Sequence, residues 1–422
     1  MIKYALMQDI VKTRIVVFLA GVIFVPIVTV AVILFARGYR PNFQTKELDS
    51  TGILVAHSYP EGAQVILNGK VTSATNTTLN LTPGTYKVEI KKAGFTGWVK
   101  QLQIETEIVT RATATLFPTV PTLKQLTTTG AANHTLSPDG TKAAFTSLNS
   151  KLIYTLDLNE SPLGLISRES KLVYNSDLPI SHLSWSPDSR QLLAETSSAS
   201  ASSILVDINS SQTKPVMPSD TTFIANWEKI NINRKNQMLD SLTPKLQQFF
   251  ATTSADLDWA PRENKILYTA TASAIMPDNI RRPLPGSSTQ PQNRELLPGS
   301  VYVYDLEEDR NFKVGENLIP TPTPKPSKKS PTLNSQLSTL NSGNAGLHWL
   351  PTSSHLIKVE SDKVIIFEYD GQNSTQVYTG PLTSTTIIPY PSAKQLLILA
   401  NLTTTPTPDH PSVPNLFALT LR

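Results

Sequence analysis

Residues 58–70 read Ser-Tyr-Pro-Glu-Gly-Ala-Gln-Val-Ile-Leu-Asn-Gly-Lys, and this run decides how the chain around it folds. Pro60 and Gly62 interrupt regular structure, whereas residues 64–67 favour a β-strand. Asn68 and Gly69 follow at once, and this pair is typical of a hairpin turn because both residues accept positive φ. The sequence therefore predicts a strand, a tight turn and a returning strand.

A second motif follows, with Leu-Thr-Pro-Gly-Thr-Tyr-Lys-Val-Glu-Ile at 81–90 and Ala-Gly-Phe at 93–95. The two motifs together resemble the PEGA domain, a small all-β module of bacterial and archaeal envelope proteins. The resemblance covers residues 50–117, and it implies a β-sandwich-like domain that associates with the cell wall or surface layer. The residues that carry it are Pro60, Glu61, Gly62, Ala63, Asn68, Gly69, Pro83, Gly84, Gly94 and Phe95.

An uncharged segment precedes this domain. Residues 15–36 contain no charged side chain, and at roughly 1.5 Å per residue they are long enough to cross a hydrocarbon core of about 30 Å. We predict a cytoplasmic tail at 1–14, a transmembrane helix at 15–36, a linker at 37–49 and extracytoplasmic domains beyond it. The alternative is a cleaved signal peptide, which has a shorter apolar region and a small-residue cleavage site. Residues 34–37, Leu-Phe-Ala-Arg, are a poor cleavage site.

Composition excludes several classes of function. The chain has no cysteine among its 422 residues, which excludes disulfides, thiolate metal sites and a cysteine nucleophile. Its net charge of +4 is spread along the chain without a basic-aromatic stripe, so we expect no nucleic-acid partner. No His-Glu-x-x-His, Gly-x-Ser-x-Gly, Walker or dinucleotide-binding motif occurs, and we predict no cofactor.

The rest of the chain contains a five-fold repeat. Each copy reads as a strand, a polar turn around a proline and a second strand, and a third strand follows it. The turn prolines are Pro138, Pro187, Pro261, Pro351 and Pro391. Fourth strands are predicted at 171–174 and near Val216, Phe312 and Val377, whereas the last copy lacks one.

Residues 121–127 precede the first repeat without a partner, and we predict that they supply the outer strand of the last one. This pairing closes a ring of sheets and removes its open edge. The phrases Ser137–Gly140 and Trp185–Asp188 resemble the TolB-like propeller repeat, which is related to the WD-repeat class. The resemblance implies a β-propeller over 121–422 that binds protein partners, and we predict five blades.

Three insertions separate the repeats, at 220–254, 273–298 and 316–346. Thr243 and Pro244 are a good helix start, and the apolar residues that follow fall on one helix face. We expect this helix to pack against the propeller, with membrane contact as the alternative. Residues 283–298 and 320–346 are rich in proline and polar residues, and we predict long loops there.

Strand alternation suggests where polar side chains face the centre of the ring. It places His182, Asp256, Asp258 and His348 near a central channel, while Trp185, Trp259 and Trp349 point into the packing between blades. A metal or anion in the channel is one hypothesis for the four polar residues. We expect ordinary hydrogen-bonded or solvated side chains instead, and we assign no catalytic or metal-binding residue.

These observations predict a mainly β protein, anchored in the cytoplasmic membrane by one helix, that serves as an extracytoplasmic binding or scaffold protein. The partners expected are the membrane, a cell-wall or surface-layer component and an envelope protein. The alternative is an enzyme, since propeller channels also carry hydrolases and lyases that act on glycans or peptides. Tyr59, Tyr86, Phe95 and Trp98 offer a carbohydrate-binding face or, in the interpretation that we favour, core packing.

Overall fold

The computed structural model describes residues 2–36, 39–42, 47–160, 169–196, 203–216, 222–280, 284–316, 346–402 and 413–422. Within these ranges the protein is mainly β and has three helices, α1 (Ile2–Ala36), α2 (Thr222–Asp240) and α3 (Pro244–Thr253). The chain divides into two compact units. The first comprises 1–92, 98–115 and 285–289, and the second comprises 93–97, 116–284 and 290–422.

The N-terminal helix α1 is long and apolar. Its stretch Val17–Phe35 has a mean hydropathy of 2.9 over 19 residues, and none of it is buried. Length and composition alone make it suitable to cross a membrane, and a signal sequence satisfies the same criteria. A short antiparallel pair follows, β1 (Arg40–Asn42) with β2 (Glu47–Asp49).

Two further sheets make up the rest of the first unit. One has the order β6-β3-β9, in which β3 and β9 run parallel, and the other is an antiparallel sheet of order β5-β4-β7-β8. Buried side chains occupy alternate positions of β3 and β9, as they do where one sheet face packs on a core. The strands are β3 (Gly52–Tyr59), β4 (Gln64–Leu67), β5 (Lys70–Ala74), β6 (Thr77–Leu81), β7 (Gly84–Lys91), β8 (Trp98–Ile104) and β9 (Val109–Thr115).

The second unit contains five antiparallel sheets of four strands, which we call sheets 1 to 5 in chain order. The first strand after each turn proline pairs with the strand before it and with the third strand, as predicted. The strand that belongs to sheet 5 but comes first in the chain is β10 (Leu123–Gln125). Sheet 1 consists of β11 (Ala131–Leu136), β12 (Lys142–Ser147), β13 (Leu152–Asp157) and β14 (Lys171–Asn175).

The same order recurs in the next three sheets. Sheet 2 consists of β15 (Ile180–Trp185), β16 (Gln191–Thr196), β17 (Ser203–Asp207) and β18 (Thr213–Val216). Sheet 3 consists of β19 (Ser254–Trp259), β20 (Lys265–Ala270), β23 (Ser300–Asp305) and β24 (Arg310–Glu316). A separate two-stranded sheet of β21 (Ala274–Ile275) and β22 (Glu295–Leu296) lies between β20 and β23 in the chain. Sheet 4 consists of β25 (Leu347–Trp349), β26 (His355–Val359), β27 (Lys363–Glu368) and β28 (Thr375–Thr379).

Sheet 5 joins the two ends of the second unit. It has the order β10-β31-β30-β29, with β29 (Ile388–Pro389), β30 (Gln395–Ala400) and β31 (Asn415–Thr420). Leu123 lies opposite Leu419 and Gln125 lies opposite Phe417, so the strand before sheet 1 is the outer strand of sheet 5. The predicted pairing of residues 121–127 with the last repeat is therefore present.

The five proline-centred turns share one backbone geometry. In each, a residue with positive φ donates its N–H to the carbonyl three residues before it, at 2.7–3.0 Å. The sequence predicts positive φ only at Gly140, because the other four positions are not glycine. The five residues and their φ angles are Gly140 (71°), Ser189 (61°), Glu263 (57°), Ser353 (59°) and Ala393 (54°).

Four boundaries between sheets are filled by side chains from both sheets. Ala144 of sheet 1 packs with Leu192 of sheet 2, and Leu267 of sheet 3 packs with Leu356 of sheet 4. Sheets 4 and 5 share a cluster, and so do sheets 5 and 1. Such side-chain interdigitation is the main source of stability in this unit.

The boundary between sheets 2 and 3 differs, because the insertion at 220–254 folds into α2 and α3. Leu246 and Phe250 of α3 are buried against sheet 3, as expected for packing rather than membrane contact. Ile224 of α2 packs on sheet 2. Trp259 was predicted to pack between blades, but it contacts the cluster that contains α3, because this helix occupies its side of sheet 3.

The described part of the predicted long loop at 283–298 contains a short strand, β22, which pairs with β21. Leu296 is buried in the cluster of sheet 3, and Arg294 donates hydrogen bonds to the carbonyl oxygens of Pro277 and Asp309. These polar anchors hold a segment that has few apolar residues of its own. Most of the third insertion, residues 317–345, lies outside the described residues.

Candidate functional site

The loop at 59–63 is held by one buried threonine. The hydroxyl of Thr75 accepts a hydrogen bond from the backbone N–H of Ala63 at 3.0 Å and lies 2.6 Å from the hydroxyl of Ser58. Its backbone N–H donates to the Ala63 carbonyl oxygen at 2.8 Å. Gly62 has φ of 70°, and Ala63 is fully buried. The Gly-Ala pair therefore combines a left-handed turn with a small side chain that enters the core.

The predicted hairpin after this loop is present. Asn68 and Gly69 have φ of 48° and 83°, and Leu67 lies opposite Lys70 across the two-residue turn. The side-chain oxygen of Asn68 accepts the N–H of Lys87 at 2.9 Å, and the Asn68 N–H donates to the Lys87 carbonyl oxygen at 2.9 Å. The turn is thus fixed to β7 as well as formed locally.

The second motif sits at the start of β7 and beyond its end. Gly84 begins β7 with φ of 156°, and Tyr86 donates its hydroxyl to the carbonyl oxygen of Thr82 at 3.0 Å. Gly94 has φ of 79°, and Phe95 forms an isolated bridge with Pro118. These residues shape turns, and Pro83 and Glu61 at their borders are exposed.

The aromatic side chains of this region have different environments. Trp98 is 3% exposed and lies in the core, whereas Tyr59 is 42% exposed. Tyr86 is half-buried and bonded to Thr82. Trp98 is therefore a core residue and does not contribute to a carbohydrate-binding face.

A charged group lies on the outer face of β7. Glu89 forms ion pairs with Lys87, at 2.8 Å, and with Lys91. The hydrogen bond from Lys87, followed by the one from Lys91, lowers the pKa of Glu89 to about 2. Glu89 is therefore ionised at every physiological pH, and it holds both lysines on one face of the sheet.

The polar residues that we predicted near a channel lie on the first strands of sheets 2, 3 and 4. Asp258 reaches solvent, yet the surrounding protein raises its pKa to about 6, and the charge of Lys235 opposes this shift. Burial also lowers the pKa of His182 and His348, so both imidazoles are neutral near pH 7.

Bulges in the first strands of sheets 1, 2 and 3 interrupt the alternation of side chains between the two sheet faces. The predicted positions of the four polar residues assumed an uninterrupted alternation. The register shifts between Ala132 and Thr135, between Ile180 and His182, and between Ala255 and Asp258. Asp256 sits in one of these bulges, with φ of 55° and an exposed side chain. Within the described ranges, no group of three or more His, Asp and Glu side chains is arranged to hold a metal ion.

The buried histidine of β11 was not among the predicted site residues. His134 is 8% exposed, and its Nε2 lies 2.7 Å from the carbonyl oxygen of Thr386. A carbonyl only accepts hydrogen bonds, so Nε2 carries the proton, and burial lowers the pKa of this imidazole. Because Thr386 precedes sheet 5, His134 links sheets 1 and 5. Its sequence neighbours carry no motif that indicates this contact.

Comparison with known proteins identifies one domain. Residues 51–119 match the PEGA domain family. No curated protein matches the chain in sequence.

Similar solved structures include an oligogalacturonate lyase in complex with manganese, at 11% identity and a TM-score of 0.34 over 71% of this chain and 93% of that chain. TolB from Acinetobacter baumannii is 13% identical, with a TM-score of 0.22 over 94% of this chain and 68% of that one. The WD40 repeats of RRP9 are 8% identical, with a TM-score of 0.30 over 71% and 97%. Likenesses this distant carry no argument about activity.

Proposed function

We propose that this protein is a binding or scaffold protein of the cell envelope, anchored in the cytoplasmic membrane by α1. The observation that supports this most is the order of its parts, an apolar N-terminal helix followed directly by residues that match the PEGA domain. In this proposal α1 stays uncleaved, the N-terminus is cytoplasmic, and the partner is a cell-wall or surface-layer component or an envelope protein.

In the same proposal, residues 50–117 and 121–422 are the two extracytoplasmic domains, and sheets 1 to 5 are the blades of a five-bladed propeller. The pairing of β10 with β31 supports a closed ring, since it ties the start of the domain to its end. Further support comes from His134 and Lys394. His134 is hydrogen-bonded to Thr386, and Lys394 lies 3.0 Å from Glu160, so polar contacts also join sheets 1 and 5.

An enzyme is the second candidate, and one observation favours it. Asp258 has a pKa raised to about 6 and reaches solvent from the first strand of sheet 3. A carboxyl group whose pKa lies closer to neutral pH is suited to transfer protons in hydrolysis or elimination. The substrates in that case are envelope glycans or peptides.

Binding of the full-length chain to purified cell-wall sacculi separates the two candidates. The chain is solubilised in detergent, mixed with sacculi and sedimented. Membrane proteins that lack a PEGA domain are treated in the same way as the control. We expect the chain to sediment with the wall and to leave the wall polymer intact. Release of soluble fragments, lost in Asp258→Asn, would favour the enzyme.

A further inference from the structure

We propose that the second unit opens between sheets 2 and 3, and that α2 is a rigid spacer between these two sheets. The boundary between them, lined by sheet 2, α2, α3 and sheet 3, is called the seam below. At the other four boundaries neighbouring sheets pack directly on each other. The seam is thus the one boundary of the described residues where helices replace that contact.

Apolar packing at the seam is divided into two clusters. The side chains of sheet 2 that face it, Leu193 and Val216, pack on Ile224 of α2. Those of sheet 3, such as Tyr268, pack on α3. Among the described residues, neither cluster contains buried residues of both sheets, so the two sheets can separate without disrupting a shared core.

A polar contact between turns is present at two of the five boundaries. The hydroxyl of Ser189 accepts the N–H of Asp139 at 3.1 Å across sheets 1 and 2. Ser353 accepts the N–H of Arg262 at 2.9 Å across sheets 3 and 4. The equivalent position at the seam is Glu263, whose side chain is exposed. Glu263 has no hydroxyl for this contact, and neither have Ala393 and Gly140 at the equivalent positions of sheets 5 and 1.

Helix α2 is fixed at its ends and free in its middle. Phe223 and Trp227 near its start are packed against sheet 2, and Leu239 at its end is packed in the cluster of sheet 3. Ile230 and Ile232 between them are 52% and 48% exposed. A helix of 19 residues spans about 28 Å, so α2 is a rigid bar whose end contacts set the width of the seam.

A buried acid weakens the seam on the side of sheet 2. Glu195 is 6% exposed, and its Oε1 has no hydrogen-bond partner among the described residues. Strand alternation puts it on the face of β16 that carries Leu193, which is the face toward α2. A buried polar group without a partner costs free energy that opening the seam would recover.

The absence of cysteine makes the test direct. Nitroxide labels at Arg190→Cys and Glu263→Cys report the distance across the seam in the full-length chain in detergent. Labels at Glu263→Cys and Thr352→Cys report the boundary of sheets 3 and 4. We expect a broad distance distribution across the seam and a narrow one for the control pair. Equally narrow distributions would overturn the proposal.

Variants of α2 sharpen the result. Trp227→Ala removes the contact with sheet 2 and is expected to shift the seam distribution to longer distances, with the control pair unchanged. Ile232→Ala, on the exposed part of the same helix, is expected to shift neither pair. If Trp227→Ala does not fold, hydrogen exchange of the unaltered chain decides, because residues 222–253 should exchange roughly tenfold faster than sheets 3 and 4. Equal protection would contradict the proposal.

Discussion

The hydroxyl oxygen of Ser189 lies 3.1 Å from the backbone nitrogen of Asp139 and joins the turns of sheets 1 and 2. Ser353 and Arg262 repeat this relationship between sheets 3 and 4 at 2.9 Å. Both serines are buried and have positive φ, so each turn places its hydroxyl toward the preceding sheet. The repeat thus stabilises the second unit through side chain to backbone contacts as well as through its apolar clusters.

We predict that Ser189→Ala and Ser353→Ala each lower the free energy of unfolding by about 1 kcal/mol, because each removes a partly buried hydrogen bond. Ser210→Ala, in an exposed turn of sheet 2, is the control and is expected to cost less. Chemical denaturation of the three variants measures the difference. Equal effects at all three positions would show that the bond between turns is not stabilising.

Thr75 is expected to be critical for the loop at 59–63. Thr75→Val keeps the shape of the side chain but removes the acceptor for Ala63 N–H and the partner of the Ser58 hydroxyl. We predict a loss of about 2 kcal/mol in unfolding free energy. Thr72→Val, at an exposed position of β5, which ends just before Thr75, serves as the control. Urea unfolding that does not distinguish the two variants would contradict this account of the motif.

The pairing of β10 with β31 predicts that the second unit depends on residues far apart in sequence. Deletion of residues 119–128 exposes the edge of β31 and removes several ladder hydrogen bonds, including Leu126 N–H to the Leu416 carbonyl oxygen at 2.8 Å. We expect aggregation or the loss of cooperative unfolding. Lys124→Ala, which keeps the strand, is expected to unfold normally. Cooperative unfolding of the deletion variant at an unchanged temperature would refute the closure.

The raised pKa of Asp258 predicts a specific pH dependence. The folded-state pKa of about 6 lies above the usual 3.8, so the carboxyl is protonated in both states at low pH and favours the unfolded state once it ionises. The contribution of Asp258 to the free energy of unfolding should therefore fall as pH rises from 3.8 to about 6.

We expect Asp258→Asn to flatten this part of the profile. Lys235→Met should steepen it, because the charge of Lys235 lowers the pKa of Asp258. Denaturation at a series of pH values measures all three proteins. Parallel profiles for Asp258→Asn and the unaltered chain would show that Asp258 titrates as an exposed carboxyl.

Much of the fold could be predicted from local sequence. Asn68 and Gly69 specify a hairpin through their own backbone preferences, and Pro138 and Pro187 mark turns between strand-forming runs. These signals are short-range, so neighbouring residues determine them. The first strand after each turn, and the third and fourth strands, were located correctly for the same reason.

Other features of the fold depend on tertiary contacts and could not be predicted from local sequence patterns. Glu263 and Ala393 adopt positive φ because their turns are held by strands on both sides, although neither residue type favours it. The bulge at Asp256 interrupts the period of two that a polar face requires. Thr243 and Pro244 predicted the start of α3, whereas α2 was not predicted from the sequence. The packing of both helices at the seam depends on tertiary contacts with two separate sheets.

The central claim is that the domains following α1 lie outside the cytoplasmic membrane while the N-terminus stays inside. Because the chain contains no cysteine, a single introduced thiol reports the location of each segment. Lys3→Cys and Glu263→Cys are compared in cells stripped of their outer layers, with a membrane-impermeant maleimide. We predict that Glu263→Cys is labelled in intact cells and that Lys3→Cys is labelled only after permeabilisation. Protection of Glu263→Cys in intact cells, with labelling after permeabilisation, would contradict the account.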